Sequence, residues 1–192
     1  MDTTPNPGLN PSANARGAAR SRAAAGKYMT FRLDGQAYGV EILRVKELIR
    51  LQEITRVPQA NAVIRGVINL RGKIIPVVDL RQKFGMGCLV PTEQTVIIVM
   101  QLPVFDHDLE MGVLVDEVLE VRHLSDGQIE PPPDLGPQEA APAALCGIGK
   151  DDKQVILLLD IAKLMSGGDT ADLKRAAILV APTSQEGVGH GA

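Results

Sequence analysis

A chain of 192 residues, 45% of them hydrophobic, is long enough to bury one substantial core or two small ones. Aromatic side chains make up only 3% with no Trp, so the core must be aliphatic, and a formal charge of -3 argues against a general nucleic-acid binder with a strongly basic face. Cys88 and Cys146 have no CxxC spacing and no nearby histidine, so neither a metal site nor a disulfide is indicated. No run approaches the length of a membrane span and the N-terminus lacks a continuous apolar signal core, which leads us to expect a soluble, intracellular protein.

Residues 1–27 carry Pro5, Pro7 and Pro11, four basic side chains (Arg16, Arg20, Arg22, Lys27) against the single acid Asp2, and almost no large apolar residue. Such a segment cannot offset its ordering entropy, and it is expected to be a disordered leader dispensable for folding. Tyr28–Leu33 then alternates apolar and polar residues, Asp34-Gly35 signals a hairpin turn, and Ala37–Ile42 returns. From Leu43 to Ile49 the spacing is mixed and fits a helical turn or a strand. Ile54–Val57 reads as a short strand stopped by Pro58, and Asn61 can cap a brief helical turn.

Val63–Gly85 holds two short apolar runs, Val67–Leu70 and Lys73–Val78, with Arg71-Gly72 between them. The runs read as buried strands and the dipeptide as a tight turn. Pro76 cannot donate to a ladder, which predicts an edge strand or a bulge. Asp79 stands where a helix N-cap belongs, with Leu80–Phe84 as the helical turn and Gly85 as its stop. Met86–Glu93 follows as a loop and Thr95–Leu102 as a fully apolar strand, buried on both faces or central in a sheet. Pro103–Glu110 reads as a polar hairpin connection, Gly112–Val115 and Val118–Val121 as strands, and Pro131–Pro133 as a rigid linker. Cys146–Ile148 and Gln154–Leu159 are the last strands, Asp160 caps Ile161–Met165, and residues 166–192 form a tail with a short helix expected over 171–180.

The second half echoes the first. A shift of 81 positions places Gly66 on Gly147, Val77-Val78 on Leu158-Leu159 and Asp79 on Asp160; a shift of 73 places Tyr38-Gly39-Val40 on Met111-Gly112-Val113 and Glu47 on Glu120. The body therefore reads as two copies of one small β unit, without the long helices a parallel α/β sheet needs for its crossovers. Where the first copy has Arg71-Gly72 the second has Asp152-Lys153, so the architecture does not itself require the arginine turn.

No catalytic constellation emerges. His107, His123 and His190 lack a partnered nucleophile, Gly147–Lys150 lacks the full phosphate-loop spacing, and Asp79 and Asp160 occupy equivalent positions that suit caps better than acid–base catalysis. Recognition remains. A guanidinium at Arg71 can fork onto a partner's carboxylates or carbonyls, or clamp an acid of its own fold; Glu47 could pair with it across a groove or be an ordinary exposed residue.

YGVEILRVKELI at 38–49, ITRVP at 54–58, GVINLRGKIIPVVDLRQKFG at 66–85, TVIIV at 95–99 and VILLLDIAKLM at 155–165 together closely resemble the CheW family of chemotaxis coupling proteins, over about residues 28–165. The resemblance implies a mostly β fold of two packed SH3-like five-stranded β-barrel subdomains with short helices. It implies a non-enzymatic, cofactor-free adaptor in the cytoplasm, recruited to membrane receptor arrays, where it joins the tips of chemoreceptors to the histidine kinase CheA. Arg71, Glu47 and Val96 match receptor-side positions and Val45 and Gly66 kinase-side ones; barrel-to-barrel pairing with the CheA regulatory domain is also implied. Two alternatives remain open at this point: a CheW-like scaffold of another chemosensory pathway, for surface motility or second-messenger control, and a small-barrel nucleic-acid module.

Overall fold

In the computed structural model, residues 22–104, 107–133, 144–151, 154–165, 171–173 and 175–176 are described. Eleven strands run in order: β1 (Gly26–Leu33), β2 (Gln36–Glu41), β3 (Val45–Arg50), β4 (Ile64–Leu70), β5 (Lys73–Asp79), β6 (Val96–Val104), β7 (His107–Val115), β8 (Glu117–Leu124), β9 (Ile129–Glu130), β10 (Leu145–Asp151) and β11 (Gln154–Leu159). Two single-turn helices, α1 (Leu80–Lys83) and α2 (Ile161–Leu164), follow β5 and β11.

These strands form a six-stranded sheet, β8-β1-β2-β11-β10-β9, and a five-stranded sheet, β3-β6-β7-β5-β4. Five strands per unit were expected; the two-residue β9 adds the sixth. The internal repeat survives in three dimensions, because the same shifts superimpose β4–β5–α1 on β10–β11–α2 and carry the parallel pair Val77↔Gly112 onto Leu158↔Gly39. Yet the copies do not correspond to the sheets. The six-stranded sheet takes β1 and β2 from the first copy and everything else from the second, and the five-stranded sheet does the reverse.

Three apolar clusters explain the aliphatic composition. Ile68, Ile75, Val77, Ile97, Val99 and Leu114 fill the interior of the five-stranded sheet, and Tyr28, Leu124, Ile156 and Leu158 that of the six-stranded one. The largest cluster lies between the sheets, with Met29, Phe31 and Val40 on one side and Ile98, Met100 and Val113 on the other. The run Thr95–Leu102 is apolar throughout because β6 serves two cores: Ile97 and Val99 face one, Ile98, Met100 and Leu102 the other. Each such side chain contributes roughly 1.5–3 kcal/mol by leaving water. Three of the few aromatic rings stack across the junction, Phe31 on Tyr38 at 6.0 Å and Tyr38 on Phe84 at 5.7 Å between centroids.

Both caps form as the sequence indicates. Asp79 is fully buried and accepts from the Arg81 and Gln82 amides, and also from the Leu89 amide at 3.2 Å, which anchors the following loop. Asp160 accepts from the Lys163 amide. Phe84 closes α1 and Gly85 takes φ 71, the left-handed stop.

Several expectations change. Pro76 lies in β5, an internal strand between β7 and β4, not at an edge. It fits because Val67, opposite it, spends both backbone groups on Thr55, so the Val67↔Pro76 pair asks no N–H of proline; the register shift sits nearby on β4, between Ile64 and Gly66. Pro103–Glu110 is mostly strand, since β6 continues to Val104 and β7 starts at His107. Ile54–Val57 reduces to a single bridge, Thr55↔Val67. Residues 42–49 contain both options left open, a 3-10 turn at Ile42–Arg44 and then β3. The end of the leader belongs to the fold: Gly26 and Lys27 open β1, and the Ala23 amide donates to the Cys146 carbonyl at 2.9 Å. Of the helix expected over 171–180, residues 171–173 and 175–176 are helical and the rest lies outside the described residues, as do residues 1–21.

Candidate docking surface

Arg71 and Gly72 form the two-residue turn between β4 and β5, with φ of 53 and 87. Positive φ at both positions is the hairpin turn whose twist matches the strands it joins. Glycine takes it freely, whereas Arg71 does so at a cost, offset by the turn bond from the Gly72 amide to Asn69 Oδ1 at 2.8 Å. The Arg71 guanidinium then forks onto Glu47, Nη2 to Oε2 at 2.9 Å and Nη1 to Oε1 at 3.3 Å.

Because β3 and β4 are opposite ends of the five-stranded order, this fork joins the two edges of the sheet. Beside it, Glu110 on β7 receives Lys46 from β3 and Lys73 from β5, the latter at 2.7 Å. Hydrogen bonds from these two lysines hold the Glu110 carboxyl below the usual glutamate range. The Arg71 side chain stays 79% exposed while Glu47 is 29% exposed. An ion pair so wet contributes only about 0.2–1 kcal/mol. What it does is aim a planar cation: two of five N–H donors are committed to Glu47 and the others face solvent.

A second feature had only a weak trace in the sequence. Leu43, in the 3-10 turn before β3, is 91% exposed, more than any other large hydrophobic residue described. Its chain neighbour Arg44 borders a cleft of about 100 Å³ between the sheets, lined also by Arg22, Val40, Leu102, Leu159 and Ala162 among others. Leu43 itself borders a second hollow, of about 300 Å³, together with Lys27, Tyr28 and Ile42. A leucine held out of an aliphatic core beside such hollows marks a contact surface. Its signal in the sequence was the broken periodicity after Ile42.

Of the residues singled out from sequence, the structure brings Arg71 and Glu47 together and leaves the others apart. Val96, at the start of β6, is half-buried against the inter-sheet core. Val45 opens β3 opposite Met100 and is half-buried against the same core. Gly66 sits at the β4 register shift with φ 149, where a Cβ would come within 2.3 Å of the Thr55 carbonyl oxygen, so its place is dictated by backbone crowding. Among the described residues no group of three His, Cys, Asp or Glu side chains is placed to hold a metal, and no helix is long and apolar enough to cross a membrane. Cys146 is buried, which pushes its thiol up to about 11, whereas Cys88 is exposed.

A family model described as the CheW-like domain matches residues 27–168. The chain is 34% identical over 145 residues to the chemotaxis protein CheW of Klebsiella aerogenes, covering 76% of this chain and 84% of that one. It is 32% identical to the CheW of Bacillus subtilis, covering 70% and 83%, and 29% identical to protein FrzA of Myxococcus xanthus, covering 72% and 84%. The crystal structure of the scaffolding protein TtCheW from Thermoanaerobacter tengcongensis is similar with a TM-score of 0.65 and 33% identity, covering 76% of this chain and 95% of that one. With two packed β-sheets, an arginine turn braced across one of them and a matching domain over most of its length, this chain belongs to the CheW-like family of chemotaxis proteins.

Proposed function

We propose that this chain is a non-enzymatic adaptor that couples the cytoplasmic tips of chemoreceptors to the histidine kinase CheA, working in the cytoplasm at membrane receptor arrays. The observation that carries the receptor side is the geometry of β3. At its start stand the exposed Leu43 and Arg44, and three residues beyond Arg44 stands Glu47 with Arg71 braced on it. One strand thus links an apolar contact to a fixed, forked cation, a combination suited to a helical hairpin bearing both apolar and acceptor groups. The kinase side is assigned to barrel-to-barrel pairing with the CheA regulatory domain near Val45 and Gly66, and Val96 is kept as a receptor-side position acting through the core it packs on. No cofactor takes part.

The test is Arg71→Asp, titrated separately against a soluble receptor tip and the kinase regulatory domain. Receptor affinity should fall about 30-fold or more while kinase affinity stays within about threefold. Equal loss for both partners, together with a lowered Tm, would make Arg71 a structural residue and remove the assignment. The purified chain incubated with labelled ATP should remain unlabelled.

A further inference from the structure

On one flank the two sheets are joined by charge. Arg81 of α1, which continues β5 of the five-stranded sheet, donates to Asp34 in the β1–β2 turn of the six-stranded sheet at 3.0 Å and to Asp116 at 3.4 Å. Asp116 stands where the chain passes from β7 to β8, and so from one sheet to the other. It also accepts from the Asp34 amide at 2.7 Å, and its own amide donates to the Arg32 carbonyl at 3.1 Å. Phe84, which closes the same α1, carries the stacked contact to Tyr38 and Phe31.

The two kinds of contact act differently. Stacked apolar rings hold the sheets together with little preference in direction, whereas a guanidinium shared by two carboxylates fixes an angle. Arg81 is also a costly way to gain stability, because its side chain is only 19% exposed and its Nε is buried without a hydrogen bond. The repeat supplies the comparison. The shifts of 81 and 73 positions that superimpose the strands place Ala162 on Arg81 and Leu43 on Asp116. There the same strand-to-helix junction forms with a methyl group and an apolar side chain, and α2 is held by buried Ile161 and Leu164. The fold does not require the clasp.

We propose that Arg81 is a positioning residue: by clasping Asp34 and Asp116 it fixes the angle between the two sheets, and that fixed angle lets the state of one partner reach the other through the adaptor. The receptor-side turn Ile42–Arg44 is where the chain passes from β2 to β3, so a partner seated there holds both sheets. The kinase-side positions Val45 and Gly66 lie on the five-stranded sheet alone. Two sheets free to rock would still bind each partner, since neither surface includes a residue of the clasp, but would pass less coupling between them. This rests on the adaptor reading and adds the element through which the adaptor transmits.

Three variants of the full chain test it. Arg81→Met keeps the apolar stem and removes the cation, Arg81→Lys keeps a cation that reaches one acid, and Asp34→Asn weakens the clasp without removing the guanidinium. The sheet angle is read without partners, from the distance distribution between spin labels at Leu48→Cys on β3 and Val121→Cys on β8, both exposed, in protein carrying Cys88→Ser. The distribution should roughly double in width in Arg81→Met, widen less in Asp34→Asn and return toward the wild-type width in Arg81→Lys. The unlabelled variants are then titrated against a soluble receptor tip and the kinase regulatory domain, and assayed for receptor-dependent kinase autophosphorylation. Each separate affinity should stay within about threefold of wild type, while stimulation falls about fivefold or more in Arg81→Met and is partly restored in Arg81→Lys. Unchanged label distances, or full stimulation despite a broadened distribution, overturn the inference and leave the adaptor reading standing. Loss of both affinities in step with Tm does the same, by making Arg81 structural. If the wild-type chain binds neither partner, the adaptor reading fails and the transmission with it, whereas the label distances still decide the angle.

Discussion

Arg71 and Glu47, 24 residues apart in sequence, meet in a forked ion pair that spans the two edges of the five-stranded sheet. Glu47 is on the first strand of the sheet order and Arg71 in the turn that ends the last, so neither neighbourhood contains the other's partner. The pair bridges the two edges at this point and holds a guanidinium outward. Those two consequences have different energetic sizes, which the first prediction separates.

A double-mutant cycle of Arg71→Ala and Glu47→Ala should return a coupling in stability of no more than about 1 kcal/mol, as for other exposed pairs. In receptor affinity, Arg71→Ala should cost more than in stability. Denaturant unfolding and calorimetric titration of the same four proteins supply both numbers. A stability coupling of about 3 kcal/mol would make the fork a structural clamp first and a recognition element second.

Two glycines in one hairpin should respond unequally. Gly66→Ala places a methyl within 2.3 Å of backbone oxygen at φ 149, and should cost at least about 2 kcal/mol because Thr55 and its bridge to Val67 must move. Gly72→Ala has nothing within 4 Å and only its φ of 87 to bear, a cost of about 1 kcal/mol. Urea unfolding of both variants checks the order, and equal losses would mean that crowding at Gly66 relaxes freely.

Glu110 should leave a mark on acid stability. Its folded carboxyl titrates below the ordinary 4.5, so below that pH the unfolded chain takes up the proton first. Its contribution is fully present above about pH 5 and is lost as pH falls through the lowered folded value. Glu110→Gln should therefore be less stable than wild type at neutral pH, with a gap that narrows on acidification. A gap constant from neutral pH to pH 3 would show that the Lys46 and Lys73 bonds do not discriminate between its charge states.

The N-terminal boundary can be tested by length. A chain beginning at Tyr28 loses the Ala23 amide bond to Cys146, the Ala24 acceptor of the Tyr28 hydroxyl and the first two pairs of β1 with β8. Relative to a chain beginning at Arg22 it should be less stable by about 2 kcal/mol, at roughly 1 kcal/mol per bond partly offset by the entropy released. Equal melting temperatures would return residues 22–27 to the leader.

Much of the fold was legible in the sequence, element by element. Gln154–Leu159 has the bounds expected, Asp79 and Asp160 cap the turns they precede, and the apolar run at 95–102 is buried on both faces. The family resemblance over about 28–165 anticipated the domain matched at 27–168. Misplacements fell where a contact distant in sequence overrides local chemistry. Pro76 is tolerated inside a sheet because Thr55 draws the backbone bonds of Val67 away from it, and no rule about proline contains Thr55. The polar stretch at 103–110 is strand because β6 and β7 pair along their full length, up to Val104↔His107.

The sequence by itself determined which residues are buried, where strands turn, how short helices begin, and that the chain is built from two echoing halves. These depend on periodicity and on neighbours a few positions away, which the chain carries locally. Only the tertiary structure decided that each sheet borrows strands from both halves, that Arg71 faces Glu47, and that Leu43 stands in water. A strand's alternation states which face is covered, but its hydrogen-bonding edge is the same for every possible neighbour, so partners are chosen by the packing of the whole.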